Sequence, residues 1–393
     1  MSTIALTPML GGLRELPPLS LYVHVPWCVR KCPYCDFNSH EVKGGFDEDG
    51  YVQALFADLE TELPNVWGRP VRTVFIGGGT PSLLSAGAME TLIQGLRARL
   101  RIDPDAEITL EANPGTFESD KFKGFRDAGV NRLSIGIQSF EPAKLASLGR
   151  IHNGDEARRA VEIALTHFDN VNLDLMYALP HQTLEQAMAD LDTALSYGIT
   201  HLSAYHLTLE PNTLFAVQPP ANLPDDELSA DMQEAIEQRL AEAGFEHYET
   251  SAFCMPGKQS RHNLNYWQFG DYLGIGAGAH GKISYPDRIE RTMRFKQPTA
   301  YLKAVAEGAP AQSRSKVARA DLPFEFMMNL LRLTGGFEAR LFAERTGLPL
   351  VLIEPALREA EAQGLIERDL TCIRPTLQGQ RFLNDLLTLF LKE

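Results

Sequence analysis

Basic residues are in short supply. The chain sets 37 Lys and Arg against 51 Asp and Glu, a formal net charge of −14, which repels polyanions and argues against bulk binding to nucleic acid. No window approaches eighteen consecutive apolar residues, so no membrane-spanning helix is expected. The opening MSTIALTPML lacks the basic segment and long apolar stretch of a secretory signal; the expectation is a cytoplasmic protein without a membrane anchor. Cysteine is scarce too: five residues in 393, three of them between Cys28 and Cys35. They are too few and too clustered for a disulfide framework, and the cluster reads as metal binding. There is no internal repeat.

What remains is an ordinary globular mixture, 44% hydrophobic and 22% charged, long enough for a large α/β barrel or a barrel with an appendage. From about residue 20 to 280 the runs LYVHV, RTVFIGG, EITLEAN, RLSIGIQS, VNLDLMY and LSAYHL read as strands. Between them Tyr51–Leu63, Met89–Leu100, Asp155–His167 and Leu184–Tyr197 carry helical patterns. That βαβα rhythm predicts a parallel sheet with right-handed crossovers, an incomplete (β/α)6 barrel. The stretch PPANLPDDE leads into a further helix, and Cys254–Tyr266 reads as a loop entering another.

The expected organisation is a tail over 1–19, a barrel core over 20–250, a connecting extension over 251–318 and a small C-terminal domain over 319–393. Leu341–Thr346, Gly347–Pro349, Ile353–Gln363 and LIERDLTCIRPT give that last domain a winged-helix-like pattern. It has few clustered Lys or Arg, so packing on the barrel is expected of it ahead of DNA recognition.

Cys28-Val-Arg-Lys-Cys32-Pro-Tyr-Cys35 follows the first strand. The spacing lets three thiolates on one loop hold three irons of a [4Fe–4S] cubane and leaves the fourth iron without a protein ligand. A zinc site completed by His24 or His40 is the alternative. Ligands of parallel α/β folds gather at the carboxyl ends of strands, and polar groups recur there. Gly77-Gly78-Gly79-Thr80 follows RTVFI, where backbone N–H groups and the Thr80 hydroxyl can approach a bound amino-acid moiety. Glu111, Gln138, Arg150 and Asp174 are plausible partners of a polar, charged cofactor. Taken singly, each is as readily a cap or a buried pair.

LYVHVPWCVRKCPYCDF, FIGGGTPS, LEANPG, RLSIGIQSF, DLMYALPHQ and RHNLNYWQFGDYLGIGAGAHG resemble the radical-SAM superfamily, and within it the coproporphyrinogen dehydrogenase-like branch that contains HemN and HemW. The resemblance covers nearly the whole chain. It implies that Cys28, Cys32 and Cys35 hold the cluster, that Tyr22, Gly78, Gly79, Thr80, Glu111, Gln138, Arg150 and Asp174 contact S-adenosylmethionine (SAM), and that Tyr34 adds a main-chain contact. It also implies one-electron cleavage of SAM to a 5′-deoxyadenosyl radical. Two departures point away from the decarboxylating enzymes and toward the haem-chaperone side: Phe37 stands where their motif has a further cysteine, and only about twenty residues precede the first strand.

His262-Asn263-Leu264-Asn265-Tyr266-Trp267 resembles the HNxxYW signature to which haem binding is attributed on that side. His262 or Tyr266 can ligate iron and Trp267 can stack on a porphyrin, with Asn263 beside them. At i, i+4 spacing, His262 and Tyr266 can equally pack a helix. Cys254 and Cys372 read as inert, and His24, His181, His201, His206 and His280 receive no role. The resemblance thus implies a chaperone that carries haem to apo-haemoproteins, draws on an electron donor for its cluster, and works as monomer or dimer. Its rivals are an oxygen-independent coproporphyrinogen III dehydrogenase and a zinc-containing winged-helix interaction module.

Overall fold

A computed structural model describes residues 12–42, 44–116 and 118–391. Of the tail expected over 1–19, residues 1–11 lie outside the described residues. Six apolar runs form parallel strands in sequence order: β1 (Leu19–Val25), β2 (Val71–Gly78), β3 (Ile102–Ala112), β4 (Arg132–Gln138), β5 (Val171–Tyr177) and β6 (His201–His206). These are the six runs legible in the sequence. In β1 every residue but Tyr22 is buried, as expected of a strand covered on both faces.

Between the strands run α1 (Glu48–Val66), α2 (Ala86–Arg99), α3 (Ser119–Ala128), α4 (Gly154–His167) and α5 (Leu184–Ser196). Their starts are chemically marked. Asn153 with Glu156, and Thr183 with Gln186, form capping boxes that satisfy N–H groups the helix itself leaves unpaired. Asp47 caps α1, which ends at an 81% exposed Trp67.

The sheet continues past the six strands. After α6 (Asp226–Glu242), β7 (Glu246–Glu249) and β8 (Ala252–Cys254) add antiparallel strands at one edge. On the other edge, β9 (Asp271–Ile275) pairs in parallel with β1, followed by antiparallel β10 (His280–Ser284), β11 (Ile289–Arg294) and β12 (Ala311–Lys316). The order is β12-β11-β10-β9-β1-β2-β3-β4-β5-β6-β8-β7. The seventh parallel strand lies in DYLGI, too short and too close to glycines to stand out as a strand by pattern. Its register sets Tyr22 of β1 between Gly274 of β9 and Phe75 of β2. The short helix α7 (Arg261–Trp267) precedes it and packs on β1, β2 and β9.

A second apolar core gathers Phe326, Phe342, Leu357 and Ile373, joined by Phe269 and Ile289 from the sheet region. It belongs to α8 (Leu322–Leu330), α9 (Arg340–Thr346), α10 (Glu354–Ala362) and a three-stranded antiparallel sheet, β13 (Phe337–Glu338), β14 (Ile366–Arg368) and β15 (Cys372–Pro375), with β15 in the middle. This part is clamped to the barrel side by Arg381, which donates to both carboxylate oxygens of Glu237 on α6 at 2.7 Å, and by Arg332 on Glu249 at 3.2 Å.

Candidate functional site

The cysteine loop leaves β1 and is held at both ends. At its start, Gly79 N donates to Val25 O at 2.8 Å and Thr80 N to Trp27 O at 2.7 Å. A Cβ on Gly79 would come within 2.4 Å of Trp27 O, so only glycine lets the two loops lie this close. Trp27 stacks on Phe46, with ring centroids 4.2 Å apart. At its far end Asn38 donates to Ala277 O and Lys296 O, both at 2.9 Å, while His24 Nε2 donates to Asn38 O at 2.8 Å. Cys28 is buried and Cys32 and Cys35 are half-buried. Burial pushes the Cys28 thiol up to about 11 and raises that of Cys35 as well, so these thiols ionise readily only against a cation such as iron.

The donor set suits a cubane better than a lone metal ion. The two histidines that would complete a zinc site are engaged: His24 by Tyr22 and Asn38, and His40 Nε2 by Lys296 O at 3.1 Å. Three soft sulfurs spread along one loop, with Arg150 Nη1 3.6 Å from Cys32 Sγ to offset negative charge, match an iron–sulfur cluster.

Arg150 also ties strand ends to this loop. It donates to Asn113 Oδ1 at 2.5 Å, to Gly136 O at 2.7 Å and to the Tyr34 hydroxyl at 3.5 Å. Asn113 in turn donates to Thr80 Oγ1 at 2.9 Å. Asn113 lies in LEANPG yet carried no expected role, because nothing local marks its partner 37 residues away. Gln138 ends β4 with φ 67°, an unusual left-handed conformation for a residue other than glycine. Asp174 accepts from Asn172 at 2.7 Å and Ser134 at 3.3 Å, and burial raises its carboxyl above the ordinary range.

One expectation changes. The N–H groups of residues 78–80 do not point to a free ligand: Gly78 N donates to Glu111 Oε2 at 2.9 Å, and the other two hold the cysteine loop. The glycines serve close backbone approach, and it is Glu111 that faces open space. Burial, with Asp174 adding to it against the Gly78 hydrogen bond, lifts the Glu111 carboxyl to about 7.

A cavity of about 470 Å³ opens beside this loop. It is lined by Tyr22, Gly78 and Glu111 from the strand ends and by Tyr266 and Trp267 from α7. Three residues expected to meet SAM and two expected to meet haem therefore share this chamber, while Thr80 and Arg150 line a separate small cavity together with Cys32. Lys296, Arg291 and His280 stand on its wall, with Phe37, 56% exposed. Asn329 of α8 reaches it from the second core.

The structure separates His262 from Tyr266 and Trp267. His262 is 0% exposed, with Nδ1 2.8 Å from Thr73 Oγ1 and Nε2 3.0 Å from the Tyr266 hydroxyl, so the direct haem contact expected of it is closed off in this conformation. Burial, then the charge of Arg132, lowers its imidazole to about 3. Asn263 lies outside the cavity lining, its N–H donating to the α7 cap Ser260. Glu107 of β3 accepts from the N–H groups of Arg261 and His262 and fixes the start of the helix. Trp267 carries the Arg332 guanidinium 4.3 Å over its ring.

The Radical SAM superfamily model matches residues 22–194, and the HemN C-terminal domain model residues 317–382. Heme chaperone HemW of Escherichia coli strain K12 is 52% identical over 381 residues, covering 96% of this chain and 100% of the relative. Heme chaperone HemW of Haemophilus influenzae is 46% identical over 385 residues (96% and 99%), and that of Bacillus subtilis 35% identical over 384 residues (95% and 99%). The solved structure of coproporphyrinogen III oxidase (HemN) from Escherichia coli, a radical SAM enzyme, has a TM-score of 0.81 at 24% identity, covering 95% of this chain and 90% of that one, a likeness of fold. With its cysteine loop, its strand-end polar set and its α7 signature in place, the chain belongs to the HemW family of haem chaperones within the radical SAM superfamily.

Proposed function

We propose that this protein binds haem in the chamber beside its cysteine loop and hands it to apo-haemoproteins. One observation carries the reading: Tyr266 and Trp267 of the signature helix line a cavity of about 470 Å³, within the range of roughly 300–1,000 Å³ usual for cofactor sites. Trp267 offers an aromatic face for a porphyrin. Lys296 offers positive charge for its propionates, while the neighbouring Arg291 is paired with Glu325 at 2.6 Å.

In the same reading Cys28, Cys32 and Cys35 hold the [4Fe–4S] cluster, and Tyr22, Gly78 and Glu111 meet SAM, with Gly79, Thr80, Gln138, Arg150, Asp174 and Tyr34 shaping the strand ends around it. When bound, the cluster and SAM supply one-electron chemistry, for which an electron-donor protein is the natural source. We assign that chemistry to gating of haem release, on the ground that Arg150 joins Cys32 to the barrel wall. Among the described residues no helix is long and apolar enough to cross a membrane, and we place the protein in the cytoplasm.

The test is anaerobic purification followed by haemin titration and mixing with an apo-haemoprotein. A Soret band that saturates at micromolar haemin and then moves to the acceptor is expected. Protoporphyrinogen formation from coproporphyrinogen III, with no haem bound, would overturn the proposal in favour of the dehydrogenase.

A further inference from the structure

The cysteine loop has an outer side. Cys32 and Cys35 line a hollow of about 310 Å³ walled by Arg30, Lys31, Gly149 and Leu214, and it shares no lining residue with the chamber. The small cavity that holds Thr80 and Arg150 has Arg30, Cys32 and Gly149 in common with this hollow and adds Val29 and Ile151. The loop is fixed from behind. Phe215 N donates to Pro33 O at 3.0 Å, which draws the one-turn helix Leu214–Val217 to the rim. Gly149, at φ 68°, lies so near Pro33 that a Cβ there would come within 2.8 Å of the ring.

Two features set this rim apart from ordinary surface. Val29, Ile151, Leu214 and Val217 are 47%, 51%, 56% and 75% exposed, and large apolar side chains left uncovered side by side mark a surface that meets a partner. The charge is also inverted. Arg30, Lys31 and Arg150 stand in the two linings and no carboxylate does, in a chain of net charge −14. Arg30 and Lys31 are both exposed. The acid bonded to this stretch is Glu41, which accepts from Lys31 N at 3.0 Å.

We infer that this rim docks a small acidic one-electron carrier protein, which reduces the cluster held by Cys28, Cys32 and Cys35. This rests on the cluster assignment above. Electron transfer weakens steeply with distance, so a carrier must seat against the loop, and this hollow is where Cys32 and Cys35 are reached from outside. A basic rim meeting an acidic surface gives a fast, salt-sensitive encounter. A few exposed aliphatic side chains give the small, releasable interface usual for redox partners. A second copy of this chain, itself at −14, is repelled. One electron crosses at each encounter: the carrier is oxidised by one electron, the cluster is reduced by one, no bond breaks and no proton moves.

The experiment uses the full-length, cluster-containing protein without oxygen, with a flavodoxin (an acidic flavin protein) and a [2Fe–2S] ferredoxin as probes. Calorimetry at low salt should show one-to-one binding of a probe that weakens as salt rises, and stopped-flow absorbance should show the cluster reduced by the pre-reduced probe. Arg30→Glu combined with Lys31→Glu should weaken binding and slow reduction by roughly tenfold or more. Val217→Asp, with the basic pair intact, should act in the same direction, and it decides alone if the double variant loses iron. Arg340→Glu combined with Arg358→Glu, an equal charge change on exposed residues of α9 and α10, should leave both readings within about twofold of wild type. Iron content and full reduction by dithionite should match wild type, which separates lost docking from a damaged cluster. Iron-loaded wild type that binds neither probe, or rim variants that bind and are reduced like wild type, would overturn the docking surface. So would rim variants that lose binding to phosphatidylglycerol vesicles while keeping the carriers, which would make the rim a lipid-facing surface. Wild type that holds no iron would overturn the cluster assignment as well.

Discussion

At the scale of single residues, the site is a set of groups whose charge states are held away from their ordinary values. The Cys28 thiol is pushed up to about 11 by burial, and under the proposed assignment an iron ligand would give its thiolate a partner. Cys28→Ala, Cys32→Ala or Cys35→Ala should therefore abolish cluster incorporation, because two protein ligands cannot hold the cubane. Buried Cys254→Ala should leave it intact. Iron and sulfide analysis decides, and equal iron in all four variants would remove the cluster from this loop. Glu111 offers a pH test. Its folded carboxyl titrates near 7 while the unfolded one titrates near 4.3. The folded state therefore binds the proton more tightly, and stability falls as pH rises between those values. Glu111→Gln removes that loss. The ligand-free variant should melt a few degrees above wild type at pH 8 and close to it at pH 4.5, and an identical difference at both pH values would show that Glu111 does not titrate in this way.

At the scale of elements, α1 and strand β11 are joined by a buried ion network. Arg294, 0% exposed, pairs with Asp58 at 2.8 Å and Glu62 at 3.1 Å. Asp58 also accepts from Gly276 N at 3.0 Å and Tyr301 at 2.9 Å. Removing one partner of a buried pair strands the other charge, so Arg294→Met should cost about 3–5 kcal/mol. Because Gly276 adjoins the carbonyl that anchors Asn38, iron occupancy should fall with it. Urea unfolding and iron analysis measure both, and a cost below about 1 kcal/mol would mean the network contributes little. Elements of this kind mark how far the sequence could be read. The six central strands and the four named helices were legible because apolar periodicity is local, and the cysteine loop because its ligands fall in one short run. Thr73 and His262 are 189 residues apart, and Asp58 and Arg294 236; no local pattern joins them. The signature helix was legible as a motif, but which of its side chains is open to the chamber depended on β1 and β2 packing against it.

At the scale of the whole molecule, the second core is part of the chamber. Phe269 follows α7 directly and packs on Phe326, with ring centroids 5.7 Å apart, while Asn329 and Arg332 reach the cavity and the Trp267 ring. The winged-helix-like region acts here as a wall of the barrel site, consistent with a net charge of −14 that disfavours nucleic acid.

The three tryptophans divide the molecule optically. Trp67 is 81% exposed at the end of α1, Trp27 adjoins the first cysteine, and Trp267 lines the chamber. A porphyrin absorbs where indole emits, so haem arriving beside Trp267 should darken that ring most. On the proposed haem site, the protein would thus carry its own lamp at the point of loading. Intrinsic emission should fall as haemin is added and recover as an acceptor takes it away, and Trp267→Phe should remove the most strongly quenched part of the signal. Quenching of the same depth in that variant would put the cargo far from α7.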